Sequence, residues 1–289
     1  MQEKINANKN WKFIISPKSN VIELNLKEVW NYRDLLMLFI KRDIVTIYKQ
    51  TILGPLWYLI QPLFTAVIFT IIFNNVANID TNGIPPFLYN LAGITIWNYF
   101  KDCLLATSDT FKSNQHIFGK VYFPRLILPL SVVLSNLIKF CIQLIVFVTF
   151  YIYYTANGVE VSPNKLIVFF PILVITMGFF SLGLGMIISS MVTKYRDLVF
   201  LLQFGVQLLM YLSLVAYPLS LIQEKLPTLS WIVEFNPMAH IIETSRYMLL
   251  NSGVISLNWI IYTVTVTIVT FLLGLVIFNR TEKRFIDTI

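Results

Sequence analysis

Charge is scarce in this chain of 289 residues, with Asp, Glu, Lys and Arg making up only 13%. An ordinary soluble domain carries about twice that share. So little polar surface cannot cover a water-soluble globule of this length. An ordinary cytosolic enzyme is excluded, and so is a disordered or nucleic-acid-binding tail. Cysteine is also scarce. Cys103 and Cys141 both stand in apolar runs, which leaves no disulfide framework. The two histidines, His116 and His240, are too few and too isolated for a metal site. The phosphate-binding GxxxxGK[ST] is missing, so no ATP site of the P-loop kind is expected. GxGxxG, HExxH and GxSxG are missing too. No repeated half-helix pattern points to a secondary transporter with inverted repeats. No cluster of acids or histidines at depth points to a proton pump, and there is no internal repeat or low-complexity segment. The first 25 residues are polar and hold no apolar core of a signal peptide.

What is present is apolar: 56% of the residues are hydrophobic and the mean hydropathy is +0.70. Charge-free runs cover 50–79, 81–100, 126–138, 140–159, 166–193, 198–223 and 247–279. A helix needs about 20 mostly apolar residues to cross the hydrocarbon of a bilayer. Only Lys139 separates the third run from the fourth, so they read as one span. The expected fold is an all-α membrane protein with six transmembrane helices, at 55–77, 87–110, 126–153, 166–190, 198–216 and 256–278. The net charge of +7 then concerns orientation, because Lys and Arg favour the cytoplasmic side. With both termini inside, 17 of the 22 basic residues are cytoplasmic; the outer loops hold only Lys165, Lys225 and Arg246. Residues 1–54 form a cytoplasmic arm, and 55–289 form the membrane domain.

Three segments do more than span. In 26–51, Val29, Tyr32, Leu36, Ile40, Ile44 and Ile47 recur at spacings of three and four, a helical period. A helix this charged lies along the cytoplasmic interface instead of crossing it. Asn25 and Glu28 resemble a capping box at its start, and Gly54 and Pro55 end it. The loop 111–125 reads FKSNQHIFGKVYFPR; it is basic and aromatic, with a short helix expected at about 113–122. On composition alone it is a plain juxtamembrane loop. The segment 217–253 has apolar pieces too short to span, broken at Pro227 and Pro237. It must leave and return on the outer side. Short re-entrant helices between spans five and six satisfy that, and so does an amphipathic outer cap.

Lys101, Asp102 and Lys139 fall within spans, where ionisable groups usually face protein or water. By helical rise, Asp102 sits roughly 15 Å and Lys139 roughly 21 Å from the inner loop. These depths allow an ion pair between the second and third spans, or a polar lining for a pathway. Ser181, Gly185 and Ser189 repeat every four residues, a spacing that lets helices approach closely.

Several motifs, in order along the chain, carry a family resemblance. The run FIKRDIVTIYKQTILGPLWYLIQPLF (39–64) resembles the start of permease subunits of ATP-binding-cassette polysaccharide exporters. NQHIFGKVYFPRLILPL (114–130) is similar to their inner loop with its Lys-Val-x-Phe-Pro-Arg core. MVTKYRDL (191–198), VAYPL (215–219) and FNPMAHIIETSRYMLL (235–250) resemble later parts of the same family. The resemblance runs from about residue 25 almost to the end.

It implies a homodimeric permease paired with two copies of a separate nucleotide-binding subunit, which binds the ATP and Mg; the chain itself holds no cofactor and is no enzyme. The cargo implied is a lipid-linked glycan such as O-antigen, capsule or teichoic acid, moved across the plasma membrane, the inner membrane in a Gram-negative cell. Carried onto this sequence, the coupling loop that docks on the ATPase comprises Asn114, Phe118, Gly119, Lys120, Val121, Tyr122, Phe123, Pro124 and Arg125. The interface helix carries Arg42, Asp43, Tyr48, Lys49 and Gln50. Tyr217, Pro218, Asn236 and Pro237 correspond to an external gate. Aromatic side chains offer flat faces to sugar rings, so Trp57, Tyr58, Trp97, Tyr99 and Phe100 are channel candidates by position, with Lys101, Asp102 and Lys139 beside them. The same residues also suit interfacial belts or packing. A drug or small-lipid exporter with the same machinery is the nearest alternative, and a membrane-embedded glycan- or lipid-modifying enzyme a more distant one.

Overall fold

The computed structural model describes residues 26–49, 52–118, 123–195 and 197–286. They form helices joined by short connections, with no β-strand among them. The amphipathic segment forms two helices, α1 (Leu26–Asn31) and α2 (Arg33–Lys49), parted at Tyr32. A 3-10 turn at Gly54–Leu56 leads into α3 (Trp57–Phe69), which continues as a π-helical stretch, Thr70–Val76. Gly54 has φ of 51°, a left-handed conformation that suits glycine and breaks the chain there.

The next helix is α4 (Pro86–Ser108). The inner loop contains two single turns, α5 (Thr110–Ser113) and α6 (Gln115–Phe118), in place of the one short helix expected. Two 30-residue or near-30-residue columns follow: α7 (Ile127–Ala156) and α8 (Phe170–Val192), the latter extended by a 3-10 turn at Lys165–Phe169. Then come α9 (Leu198–Leu212), three outer helices α10 (Leu219–Lys225), α11 (Ser230–Glu234) and α12 (Pro237–Leu250), and the last column α13 (Leu257–Ile286).

Four helical columns are long and apolar enough to cross a membrane: Gly54–Val76, Ile127–Ala156, Lys165–Val192 and Leu257–Glu282. α9 is equally apolar but only 15 residues long. α4 has the length, 23 residues, but is more polar. Its place explains that difference. Sixteen of its residues are buried, and it packs against α3, α7, α8 and α12. A helix enclosed by protein can carry Asn90, Thr95 and Thr107 without exposing them to lipid.

Small residues set how closely the columns approach. A Cβ on Gly185 would lie 2.5 Å from Thr107 Cβ, so α8 presses against α4 there. Ser181 and Ser189 are buried along the same stripe. A second crossing joins α8 to α13 at Gly183 and Gly274. A Cβ on Gly183 would lie 2.7 Å from the Phe271 backbone, and one on Gly274 would run into the Gly183 carbonyl. The two backbones touch, which only glycine permits.

Candidate functional site

The inner ends of the helices gather around the aromatic loop. Phe39 of α2, Phe111 and Phe123 of the loop, and Leu275 and Phe278 of α13 share one buried apolar cluster. The Phe39 and Phe123 rings are 5.9 Å apart, and Phe111 stacks on Phe278 at 4.6 Å. Polar contacts fix the edges of this cluster. Arg42 donates to Asp43 Oδ1 at 2.8 and 3.0 Å and to Asn114 Oδ1 at 3.4 Å. Its guanidinium lies 4.8 Å from the Phe39 ring centre. Asp43 Oδ2 accepts from Ser135 at 3.3 Å, which ties α2 to α7. Arg125, 9% exposed, places Nε 3.4 Å from Glu282 Oε1 and donates from Nη1 to the Glu282 carbonyl at 3.1 Å. The Pro124 carbonyl accepts from Ile127 N at 3.0 Å and starts α7 directly behind the loop.

Asn114, Phe123, Pro124 and Arg125 are thus drawn together with Arg42 and Asp43. Lys49 ends α2 in the open. Phe118 and Tyr48 lie on helices, but their side chains are outside the described residues, as are Gly119, Lys120, Val121, Tyr122 and Gln50. Glu282 carried no signal in the sequence beyond its place in the tail. Only the fold brings it to Arg125.

Of the two arrangements open to the charges in the spans, the Lys139–Asp102 ion pair does not form. Asp102 lies 3.6 Å from its neighbour Lys101, which also donates to Asn98 at 3.1 Å. Lys139 lies 5.3 Å from the Tyr58 ring centre instead, and no ion pair joins it to Asp102. The reason is geometric. α2 packs along the first turns of α7, so Lys139 meets the start of α3. Lys101, Asp102, Lys139 and Tyr58 are all partly exposed, and Trp57 is half exposed. Trp97, Tyr99 and Phe100 are 4% exposed or less. Tyr99 packs on Phe140 at 5.2 Å and Phe100 on Phe180 at 5.7 Å. These three rings are core residues of the protomer in this conformation, although Phe100 also borders a cavity.

The outer segment is built around a buried arginine. Arg246, counted above among outer-loop cations, is 1% exposed. It donates to the Leu214 and Val215 carbonyls at 2.6 and 2.5 Å and to Tyr89 Oη at 2.9 Å. Its guanidinium also lies 3.8 Å from the Tyr89 ring centre, and Nη1 is 3.8 Å from Glu243 Oε2. The two carbonyls sit just past the end of α9, where Leu214 takes a left-handed φ of 59°. Arg246 therefore caps the broken end of α9 and fastens it to α4. A Cβ on Gly93 would lie 2.5 Å from Arg246 Nη2, so α4 needs glycine there to admit the guanidinium. The sequence held a signal for this site: Arg246 follows Glu243 by three residues within an otherwise apolar helix. Burial raises the Glu243 pKa against the opposing pull of Arg246.

The gate candidates lie beside this arginine. Asn236 Oδ1 accepts from Met238 N at 3.0 Å, capping α12, and its Nδ2 donates to Ser213 Oγ at 2.9 Å. Pro237 is the first residue of α12, a position where its missing N–H costs nothing. Tyr217 donates to the Tyr211 carbonyl, and Pro218 precedes α10. Asn236 and Pro237 also border a cavity of about 340 Å³ whose inner wall includes Phe100 and Phe180. His240 stacks on Trp259 of α13 at 4.7 Å and lies 2.6 Å from the Glu234 carbonyl. Burial lowers its pKa, while that carbonyl pulls the other way.

These elements, four apolar helical columns, a loop clamped by neighbouring helices and a folded segment before the last column, describe a multi-pass membrane protein. Residues 34–250 match the family model described as ABC-2 type transporter, and the chain belongs to that family. It is a transport subunit of an ATP-binding-cassette exporter, not an enzyme in its own right. Among similar proteins is an O-antigen export system permease protein RfbA from Klebsiella pneumoniae, 30% identical over 254 residues, which cover 88% of this chain and 94% of the relative. A second Klebsiella pneumoniae protein of that name is 29% identical over 255 residues. One from Myxococcus xanthus is 24% identical over 264 residues, covering 91% of this chain and 98% of its own.

Proposed function

We propose that this chain is the membrane permease of an ATP-driven exporter of lipid-linked polysaccharide, O-antigen or capsule first and teichoic acid second. The observation that carries this reading is the end-to-end alignment with permeases named for O-antigen export, over 94% of the first relative's length. In this reading α4 and α9 join the four apolar columns to make six spans, both termini are cytoplasmic, and 217–253 folds back on the outer side. α9 favours a membrane-embedded partner surface: of its 15 residues only Val206 is buried in the protomer. Phe200, Leu201 and Phe204 stand 60% or more exposed. We assign that face to a second copy of the chain, with the translocation path between the copies.

ATP and Mg²⁺ bind in a separate nucleotide-binding subunit, two copies per complex. Closure of those copies pushes on the loop 114–125, which is held by α2 on one side and α13 on the other. Weak, repeated contacts suit a sliding polymer better than one tight site. Trp57 and Tyr58 are the aromatic candidates whose rings remain partly open. Lys101, Asp102 and Lys139 add polar contacts beside them. The external gate is assigned to Tyr217, Pro218, Asn236 and Pro237.

Deleting the gene tests the cargo. Loss of surface polysaccharide with drug resistance unchanged is expected; the reverse would favour the drug-exporter alternative. Substituting Phe123 and Arg125 with Ala tests the coupling loop. Hydrolysis continues without export, while membrane insertion stays normal. Normal export by that variant would remove the coupling role.

A further inference from the structure

We propose that Glu282 is a positioning residue that ties the coupling loop to the last helix, and that α13 carries the loop's displacement to the outer segment. The proposal rests on the coupling-loop reading above and adds the route from that loop to the gate. Three sets of contacts support it, one at each level of α13.

At the inner end, Glu282 engages Arg125 twice, through its carboxylate at 3.4 Å and its carbonyl at 3.1 Å. Arg125 is nearly buried, and Glu282 is only partly exposed, at 28% for its side chain. A partly desolvated pair of this kind holds its geometry better than a surface ion pair. Phe278, one turn earlier, stacks on Phe111 from the other side of the loop. The loop is thus gripped by a charged contact and an aromatic one, both on α13. Along much of its length α13 packs on α8, with backbones in contact at Gly274 and Gly183. That contact is unyielding, since side chains cannot give where there are none. At the outer end, Tyr262 Oη donates to the Phe235 carbonyl at 2.8 Å, and Trp259 stacks on His240. Both partners belong to the segment that also carries Asn236 and Pro237.

α13 is continuous over its 30 residues, a rod about 45 Å long. Nothing in it breaks the hydrogen-bond ladder, for it holds no proline. A continuous rod gripped at both ends carries a small displacement at one end to the other. The Arg125 to Glu282 contact is the grip that substitution can weaken without touching either the α8 contact or the loop sequence.

The test uses the permease assembled with its ATPase in lipid vesicles. The background is Cys141→Ser, and the exposed Trp231 of α11 is replaced by Cys and labelled with an environment-sensitive dye. The readouts are complex assembly, ATP hydrolysis and the ATP-dependent change in dye emission. Glu282→Gln and Glu282→Lys are expected to keep assembly and hydrolysis within about twofold but to lose about tenfold of the dye response per ATP, the size of effect typical for residues on a coupling route. Glu282→Asp, which keeps the charge, retains the response. An unchanged response in Glu282→Lys overturns the proposal. So does an equal loss in all three variants, a loss of assembly in Glu282→Gln, or a labelled parent with no ATP-dependent change. Failure of the coupling-loop reading looks different. There, Phe123→Ala and Arg125→Ala leave hydrolysis and export coupled whatever stands at 282.

Discussion

A single buried guanidinium decides the shape of the outer segment. Arg246 satisfies two carbonyls that α9 leaves behind when it breaks, and Tyr89 supplies both a hydroxyl and a ring face. Removing it orphans those groups and leaves Glu243 buried without its cation. Arg246→Ala is therefore expected to destabilise the permease by about 3–5 kcal/mol, seen as a lower melting temperature in detergent. Gly93→Ala attacks the same site from α4 by overpacking and is expected to cost about 1–3 kcal/mol. Wild-type melting in both variants would show that the segment is held in some other way. His240 adds a pH dependence. Its folded pKa is lowered, so its contribution is present above its ordinary value and is lost as the pH falls through the folded pKa. Melting temperature is expected to fall as the pH drops below about 6.5, and His240→Asn removes that part of the slope. Arg246 was read only as an outer-loop cation, and its burial was not legible. A count of basic residues weighs only position along the chain, and burial against α4 and the end of α9 depends on contacts more than 30 residues away.

Helices were more legible than their joints. Apolar runs located the four long columns within a few residues, because hydropathy reports directly on what lipid tolerates. α4 was located as well, although its charges and amides lower its hydropathy; enclosure by α3, α7 and α8 explains how Asn90, Thr95 and Thr107 are carried, while Lys101 and Asp102 stay partly exposed. The breaks at Tyr32 and within the inner loop were not legible. They answer to docking, α2 on α7 and the loop on Phe278, and not to local propensity. The resemblance pointed to the inner loop and the outer segment as the places that matter. It did not separate buried Trp97, Tyr99 and Phe100 from open Trp57. The small-residue repeat Ser181, Gly185 and Ser189 marked α8 as a packing helix, yet the α8 to α13 contact pairs Gly183 with Gly274, and no periodicity links those two. Gly183→Leu is expected to disrupt packing severely and reduce the yield of folded permease. Gly205→Ala, on a face with nothing within 4 Å, is expected to stabilise the protomer by up to about 1 kcal/mol. Equal yields of Gly183→Leu and wild type would contradict the backbone contact.

At the level of the whole molecule, the proposed orientation follows from charge asymmetry. With 17 of 22 basic residues assigned to the inside, a Cys placed at Lys112 should react only with reagents that enter the cell. One placed at Lys225 should react from outside. The opposite pattern would invert the proposed topology. The proposed topology would put the clamped loop on the side where ATP is available and the Arg246-fastened segment where the polymer would leave. It also leaves the apolar face of α9 facing lipid or a second copy, consistent with work done by a pair of permeases and a pair of ATPases. The measurement that bears most directly on this is ATP-driven movement of a lipid-linked polysaccharide in vesicles holding only the permease and its ATPase. Glycan crossing to the far side, with hydrolysis stimulated by the glycan, and crossing lost while hydrolysis continues in the Phe123 and Arg125 variants, is the predicted result. A stable complex that hydrolyses ATP at the same rate with or without the glycan, and moves none of it, would contradict the proposed function.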